Sequence, residues 1–272
     1  MYLFFCIKKT DYTLICNLSK KTKYKKYSKI KLLITGMLIL TIGGCKSENN
    51  LEQKLDTNKI YKIGTTAEYP PFETLENGKI VGYDVDVIDE VAKKIGIKYE
   101  WKDMNFDGLI SALQSQKIDV VIAGISSTPE REKVVIFSTP YHNAKIAYLM
   151  NKNNPLTMDN LEGKKYGVDL GTTNETTARK IKGANVIAFS STGGTLLALK
   201  SQKVDCILID ETVANMYIKN NPELEIFGYG DGEGKVIAFN KKDTILKENF
   251  DKALLELEKD GTLKKLQDKY DI

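Results

Sequence analysis

Two residues carry the first chemical signal in this chain, Arg131 and Asp210. Arg131 ends the stretch Ala123-Gly-Ile-Ser-Ser-Thr-Pro-Glu-Arg131, which follows the apolar run Val120-Val121-Ile122-Ala123. Asp210 directly follows a second apolar run, Cys206-Ile207-Leu208-Ile209. Continuous apolar runs of this length suit parallel strands covered on both faces. In parallel α/β sheets, ligands sit beyond the carboxyl ends of the strands. A guanidinium beyond one such end and a carboxylate beyond the other suit a zwitterion. Arg131 can grip a carboxylate with two parallel hydrogen bonds, and Asp210 can receive an ammonium. Thr172 and Thr173, at the start of a helix, can add N–H donors to the same carboxylate. Plainer readings stand beside these. Arg131, within Pro-Glu-Arg-Glu-Lys, also fits a solvated helix face. Asp210 also fits a cap for a helix beginning near Glu211, and Ser126 and Thr128 fit ordinary turn residues.

The elements that would position these groups alternate. Ile60–Ile63 reads as a strand. Asp84 reads as the cap of a helix with the apolar stripe Val87, Ile88, Val91, Ala92 and Ile95, stopped by Gly96. Ile97–Trp101 is a second strand, and Asp107 reads as the cap of a short helix. In the second half, Thr172–Lys182, Thr195–Gln202 and Glu211–Lys219 read as helices. Val186–Phe189 and Val236–Phe239 read as strands, and the last two helices as 247–259 and 263–270. Such alternation implies an α/β fold. The glycine-rich run Phe227–Gly234 lacks nucleotide-binding spacing and reads as a loop or hinge.

One internal repeat is informative. Leu113-Gln-Ser-Gln-Lys-Ile-Asp-Val-Val-Ile-Ala123 recurs as Leu199-Lys-Ser-Gln-Lys-Val-Asp-Cys-Ile-Leu-Ile209, 86 residues later. That distance is domain-scale. Gly64-Thr65-Thr66 and Gly171-Thr172-Thr173 form a looser match. The pattern suits either two lobes of like architecture facing each other or two unrelated α/β units that share a turn.

The start of the chain has the layout of a bacterial lipoprotein signal. A lysine-rich run, 20–31, precedes the apolar stretch Leu32–Ile42 and then Gly43-Gly44-Cys45. Those 11 apolar residues fall short of the roughly 20 a spanning helix needs. The expectation is a signal peptide over 1–44, a lipid on Cys45 and a flexible tether over 45–59. As a coil, the 14 residues after the cysteine would reach about 20 Å. Nine of the 40 basic residues and one of the 36 acidic residues lie in 1–44, so cleavage turns a net charge of +4 into −4. The basicity thus belongs to the leader and argues for no nucleic-acid partner. Cys206 is then the only cysteine besides Cys45, so no disulfide can form within the mature chain, and Cys206 reads as a small core residue.

Enzymatic signatures are missing. His142 is the only histidine, and there is no Gly-x-Ser-x-Gly, phosphate loop or paired-cysteine metal motif. No cofactor or metal is expected. A carboxylate-dependent dehydratase or lytic enzyme, and a ligand-sensing surface lipoprotein, stay open as alternatives.

The chain resembles the extracellular solute-binding proteins of polar amino-acid ABC transporters. The stretches that carry the resemblance are Gly64-Thr-Thr-Ala-Glu-Tyr-Pro-Pro-Phe-Glu73, Gly82-Tyr-Asp-Val-Asp-Val87, Phe106-Asp-Gly-Leu-Ile-Ser-Ala-Leu113, 123–131, Gly171-Thr-Thr173, Asp210 and Asp260-Gly-Thr-Leu-Lys-Lys-Leu. The resemblance implies a periplasmic-binding-protein-like fold of type II. Two α/β lobes, 60–143 plus 235–272 and 144–234, would be joined by a two-strand hinge. It further implies that Gly124, Ser126 and Arg131 hold the α-groups of a free amino acid, that Asp210 binds its ammonium, and that Tyr69 and Phe106 sandwich its side chain. The partners implied are a membrane permease and the lipid anchor, with the protein a monomer. Many relatives carry an acid where Thr66 stands. Glu68 and Asp169 are nearby acids that fit either a cationic side chain or the solvated surface. Aromatic faces suit a cation, which tilts the expected ligand toward arginine or lysine.

Overall fold

The structure is a computed structural model and describes residues 54–272. The expected signal peptide, Cys45 and most of the tether lie outside the described residues. The end of the tether, 54–59, is not free as expected. Leu55 packs against the core, the Tyr61 hydroxyl donates to the Asp56 carbonyl at 3.1 Å, and Lys59 pairs with Asp119 at 2.6 Å.

The chain begins with β1 (Ile60–Thr65), then a small antiparallel sheet of β2 (Glu68–Tyr69), β3 (Glu73–Glu76) and β4 (Lys79–Val81). Helix α1 (Tyr83–Ile95) follows, closed by Gly96 in the left-handed region, as the sequence implied. Next come β5 (Lys98–Asp103), a 3-10 turn over Phe106–Gly108, α2 (Leu109–Gln114), β6 (Val120–Val121), the single-turn α3 (Pro129–Glu132) and β7 (Val135–Phe137). The short β8 (His142–Asn143) leads into β9 (Ile146–Asn151), β10 (Lys165–Asp169), α4 (Thr173–Lys180), β11 (Asn185–Phe189), α5 (Thr192–Lys200), β12 (Cys206–Asp210), α6 (Glu211–Asn220) and β13 (Leu224–Gly230). The chain returns through β14 (Gly234–Lys235) to β15 (Ala238–Asn240), α7 (Thr244–Lys259) and α8 (Thr262–Tyr270).

These strands form two five-stranded sheets, ordered β5-β1-β6-β15-β7 and β11-β10-β12-β9-β13. Each has three adjacent parallel strands followed by an antiparallel one. Between them, β8 and β14 pair antiparallel, with Lys235 opposite His142. The fold is therefore α/β with two lobes joined by two crossing strands. On the first lobe, α1 buries Val87, Ile88 and Val91 against Phe250, Leu254 and Leu257 of α7. The second lobe has its own core around Tyr166, Val168, Cys206 and Leu208, so Cys206 is the expected core residue.

The repeat is structural. Gln116 and Gln202 both adopt positive φ, 60° and 57°. Asp119 N–H donates to Lys62 O while Lys62 N–H donates to Asp119 Oδ2, each at 2.8 Å. Asp205 and Lys165 exchange the same two bonds, also at 2.8 Å. The repeat aspartate thus stitches the incoming strand to its neighbour in both lobes. Register also corrects the looser match. Gly64 pairs with Val121 and Gly167 with Ile207, so Gly64 corresponds to Gly167, not to Gly171. A side chain at Gly64 would meet Ile118, and one at Gly167 would meet Ile207 and Val204.

Four further expectations change. Helix α1 begins at Tyr83 with Gly82 before it, so Asp84 is not its cap. Asn105, not Asp107, precedes the 3-10 turn. Helix α5 starts three residues earlier than expected, because the Ser191 side chain accepts the Gly194 N–H at 3.2 Å and caps it. The glycine-rich run is mostly strand. Gly228 lies against Met158 and Gly232 against the Ala144 carbonyl, where a side chain would collide.

Candidate ligand-binding cleft

The carboxyl ends of β1, β6, β10 and β12 converge on a cleft between the lobes. Tyr69, Phe106, Gly124, Ser126, Arg131, Asp169, Thr172, Thr173 and Asp210, all singled out in the sequence, line it. Glu68 does not. It is exposed, and strand alternation sends it to the face opposite buried Tyr69.

The first-lobe wall carries the guanidinium. Thr128 caps α3 by accepting the Arg131 N–H at 3.2 Å. Arg131 Nη1 donates to Ser126 O at 2.6 Å, and Nη2 reaches across the cleft to Gly171 O at 2.8 Å. The guanidinium also lies 5.5 Å from the centre of the Phe106 ring, within cation–π range. Burial lowers its pKa, opposed by the charge of Glu233, and an arginine stays protonated through such a shift. Arg131 is therefore no solvated helix face.

Gly124 adopts φ +52°, and a side chain there would press on the Tyr69 ring. Its N–H donates to Asp84 Oδ2 at 2.9 Å, and Tyr141 Oη donates to Asp84 Oδ1 at 2.9 Å. Asp84, read from sequence as a cap, instead pins the loop from behind. Burial raises its carboxyl to about 6, held down in part by those bonds. Glu73 beside it is pushed well above its ordinary value, chiefly by burial.

The second-lobe wall carries the carboxylates. Asp169, the last residue of β10, accepts from Thr192 Oγ1 at 2.7 Å and Thr195 Oγ1 at 2.5 Å. Burial raises its pKa and those two hydroxyls oppose the rise. Thr172 Oγ1 accepts the Glu175 N–H at 3.2 Å and donates to Asp169 O at 2.7 Å, fixing the start of α4. Asp210 precedes α6 without a side-chain capping bond. Its N–H donates to Tyr69 Oη at 3.3 Å, and its Oδ2 lies 2.5 Å from Lys235 Nζ, with both side chains buried.

Lys235 escaped the sequence reading. A lysine opening the apolar strand Gly-Lys-Val-Ile-Ala-Phe was the available signal, since a buried lysine needs a partner. Asn174 also escaped. Ser126 Oγ and Asn174 Oδ1 line the cleft, buried and without a hydrogen-bond partner among the described residues. Buried polar atoms are rarely left so. The cleft offers open donors and acceptors to a small polar molecule.

A model of the bacterial extracellular solute-binding proteins, family 3, matches residues 61–271. The chain belongs to this family. A probable histidine-binding protein of Campylobacter jejuni is 42% identical over 246 residues, covering 88% of this chain and 95% of the relative. The arginine-binding extracellular protein ArtP of Bacillus subtilis is 34% identical over 247 residues, covering 88% and 96%. Among solved structures, an ancestral arginine-binding protein bound to arginine has a TM-score of 0.74 at 43% identity, covering 78% of this chain and 97% of that one. The motif-based resemblance and the two-lobed fold are borne out. As a member of an extracellular family, this solute-binding protein works outside the cytoplasm, and the relatives named here are binding proteins.

Proposed function

We propose that the protein is the substrate-binding component of an amino-acid ABC transporter. It captures a free polar L-amino acid with a basic side chain between its lobes, 60–143 plus 235–272 and 144–234, and hands it to a membrane permease. The observation that carries this reading is the division of charge across the cleft. Arg131 stands on one wall, on the helical turn α3, and Asp169 and Asp210 end strands on the other. In this reading Arg131, with the N–H groups of Thr172 and Thr173, takes the α-carboxylate. Asp210, Ser126 and the Gly124 backbone take the α-ammonium. Tyr69 and Phe106 flank the side chain, whose nitrogen faces Asp169. The similarity to proteins named for histidine and arginine supports a nitrogen-bearing side chain. The site recognises and releases its ligand unchanged. The protein acts as a monomer, held to the membrane by a lipid on Cys45 after removal of 1–44.

A thermal-shift screen of the twenty amino acids with ornithine and cystine tests this. One or a few basic amino acids raise the melting temperature; ligand at 100 times Kd adds about 2.7 kcal/mol. A flat response across the whole panel rejects the receptor reading. Turnover of a bound compound would replace it with an enzymatic one.

A further inference from the structure

The charges lining the cleft are balanced before any ligand enters. Among the described residues, the cations on its lining are Arg131 and Lys235, and the carboxylates are Asp169 and Asp210. The second cation is held in place by the backbone around it. Lys235 pairs with His142 in the hinge and bridges to Ser126. Its carbonyl accepts the Tyr141 N–H at 2.9 Å. Its ammonium therefore stands over Asp210, where the side chains of the pair are 5% and 6% exposed. At that burial, salt and water screen the pair little.

A zwitterion adds one charge of each sign. Its carboxylate meets Arg131 and its ammonium shares Asp210 with Lys235. A side chain that is uncharged but donates an N–H can use the remaining lone pairs of Asp169, whose two oxygens already accept from Thr192 and Thr195. The cleft then stays neutral. A side chain carrying its own full positive charge leaves the closed cleft with one excess cation, and an uncompensated buried charge is costly. Without Lys235 the count reverses, and a net cation becomes the balancing ligand.

We propose that Lys235 is a specificity-determining residue: by holding its ammonium on Asp210, it tips selection among basic amino acids toward histidine with a neutral imidazole and away from the net cations arginine and lysine. This rests on the receptor reading above. The contrary role is purely structural, with Lys235 serving only to neutralise Asp210 in the hinge.

Calorimetric titration with histidine and with arginine at pH 8, where free imidazole is neutral, separates the two. The wild type binds histidine more tightly than arginine. In Lys235→Met, which keeps length and removes charge, the ratio of the two affinities moves toward arginine by tenfold or more. In Lys235→Arg, which keeps the charge, it stays within threefold of wild type. A ratio that moves less than threefold in Lys235→Met overturns the proposal and leaves the receptor reading standing. So does a wild type that prefers arginine, a measurement that needs no variant to fold. Binding of neither amino acid overturns the proposal together with the basic-side-chain part of the receptor reading.

Discussion

The two walls of the cleft are built on one scaffold and do opposite chemistry. Behind them, Asp119 and Asp205 make the same pair of backbone bonds, and Gln116 and Gln202 take the same positive φ. In front, the first-lobe wall offers a cation and aromatic rings, and the second offers carboxylates. They also differ in how the chemistry is held. Asp169 and Asp210 are the last residues of β10 and β12, so the sheet itself places them. Arg131 sits on a single helical turn well past β6, and its loop is fixed from elsewhere, by Asp84, Tyr141 and the Thr128 cap. The repeat conserves the stitching of the strands, while the residues beyond each strand end are free to diverge. A net-neutral, charge-divided cleft follows from that freedom.

The sharpest way to break the comparison is to remove the one cation of the first wall that is not already paired with a carboxylate. Arg131→Ala is expected to weaken amino-acid binding by about 2–5 kcal/mol, because the ligand carboxylate would be buried without its partner. Titration calorimetry reads this, and melting of the ligand-free variant should change far less. Near-normal affinity would mean that the walls do not divide the ligand's charges as described.

A second test concerns His142 in the hinge and Asp84 at the start of α1, which titrate in opposite senses. Burial and the nearby Lys235 charge lower His142 from 6.5 to about 4. The unfolded chain therefore takes up this proton first as pH falls. Its contribution to stability is present above pH 6.5 and is lost as pH drops toward 4. Asp84 is raised from 3.8 to about 6, so its contribution is present below pH 3.8 and is lost as pH rises through 6. The slopes oppose each other in the same window. His142→Phe keeps an aromatic ring against Phe72, which it meets edge-on at 5.4 Å, and removes one slope. Relative to wild type, the variant should gain up to about 3 kcal/mol between pH 6.5 and 4. Denaturant unfolding at both pH values measures the difference, and parallel pH profiles would rule out a neutral His142.

Much of this was legible in the sequence, for local reasons. The strands and helices announce themselves by apolar period and by stops such as Gly96, and the repeat predicts the matched sheets. Arg131, Thr172, Thr173 and Asp210 could be named because ligands gather at strand ends, whereas Tyr69, Phe106 and Gly124 could be named only through the family resemblance. The rest depended on contacts between distant segments. Asp84 looks like a helix cap, since aspartate at a helix start usually is one. Only the fold brings it under Gly124, 40 residues away. Lys235 meets Asp210 only after the chain crosses back through the hinge. Glu68 went the other way: near Tyr69 in sequence, it is on the far side of the strand, a consequence of alternation that a two-residue strand hardly reveals.

The smallest expected effect distinguishes how the two walls are held. Each has a threonine cap. Thr172 starts the eight-residue α4, and Thr128 starts the four-residue α3 that carries Arg131. Removing a cap hydroxyl costs about 1 kcal/mol of helix stability. Helix α4 is packed through buried Ala178 and anchored beside the strand-held Asp169. Thr172→Ala should therefore lower global stability by about that amount and leave affinity within a few-fold. Helix α3 has no buried residue and little to lose globally. Thr128→Ala should instead let the single turn fray, with melting nearly unchanged and ligand affinity lowered by about 1 kcal/mol, the free energy needed to re-form the turn around Arg131. Thermal melts and titrations of both variants give four numbers. If both caps cost stability alone, the Arg131 loop is as rigidly placed as the strand-end carboxylates, and the contrast between the walls is one of charge only.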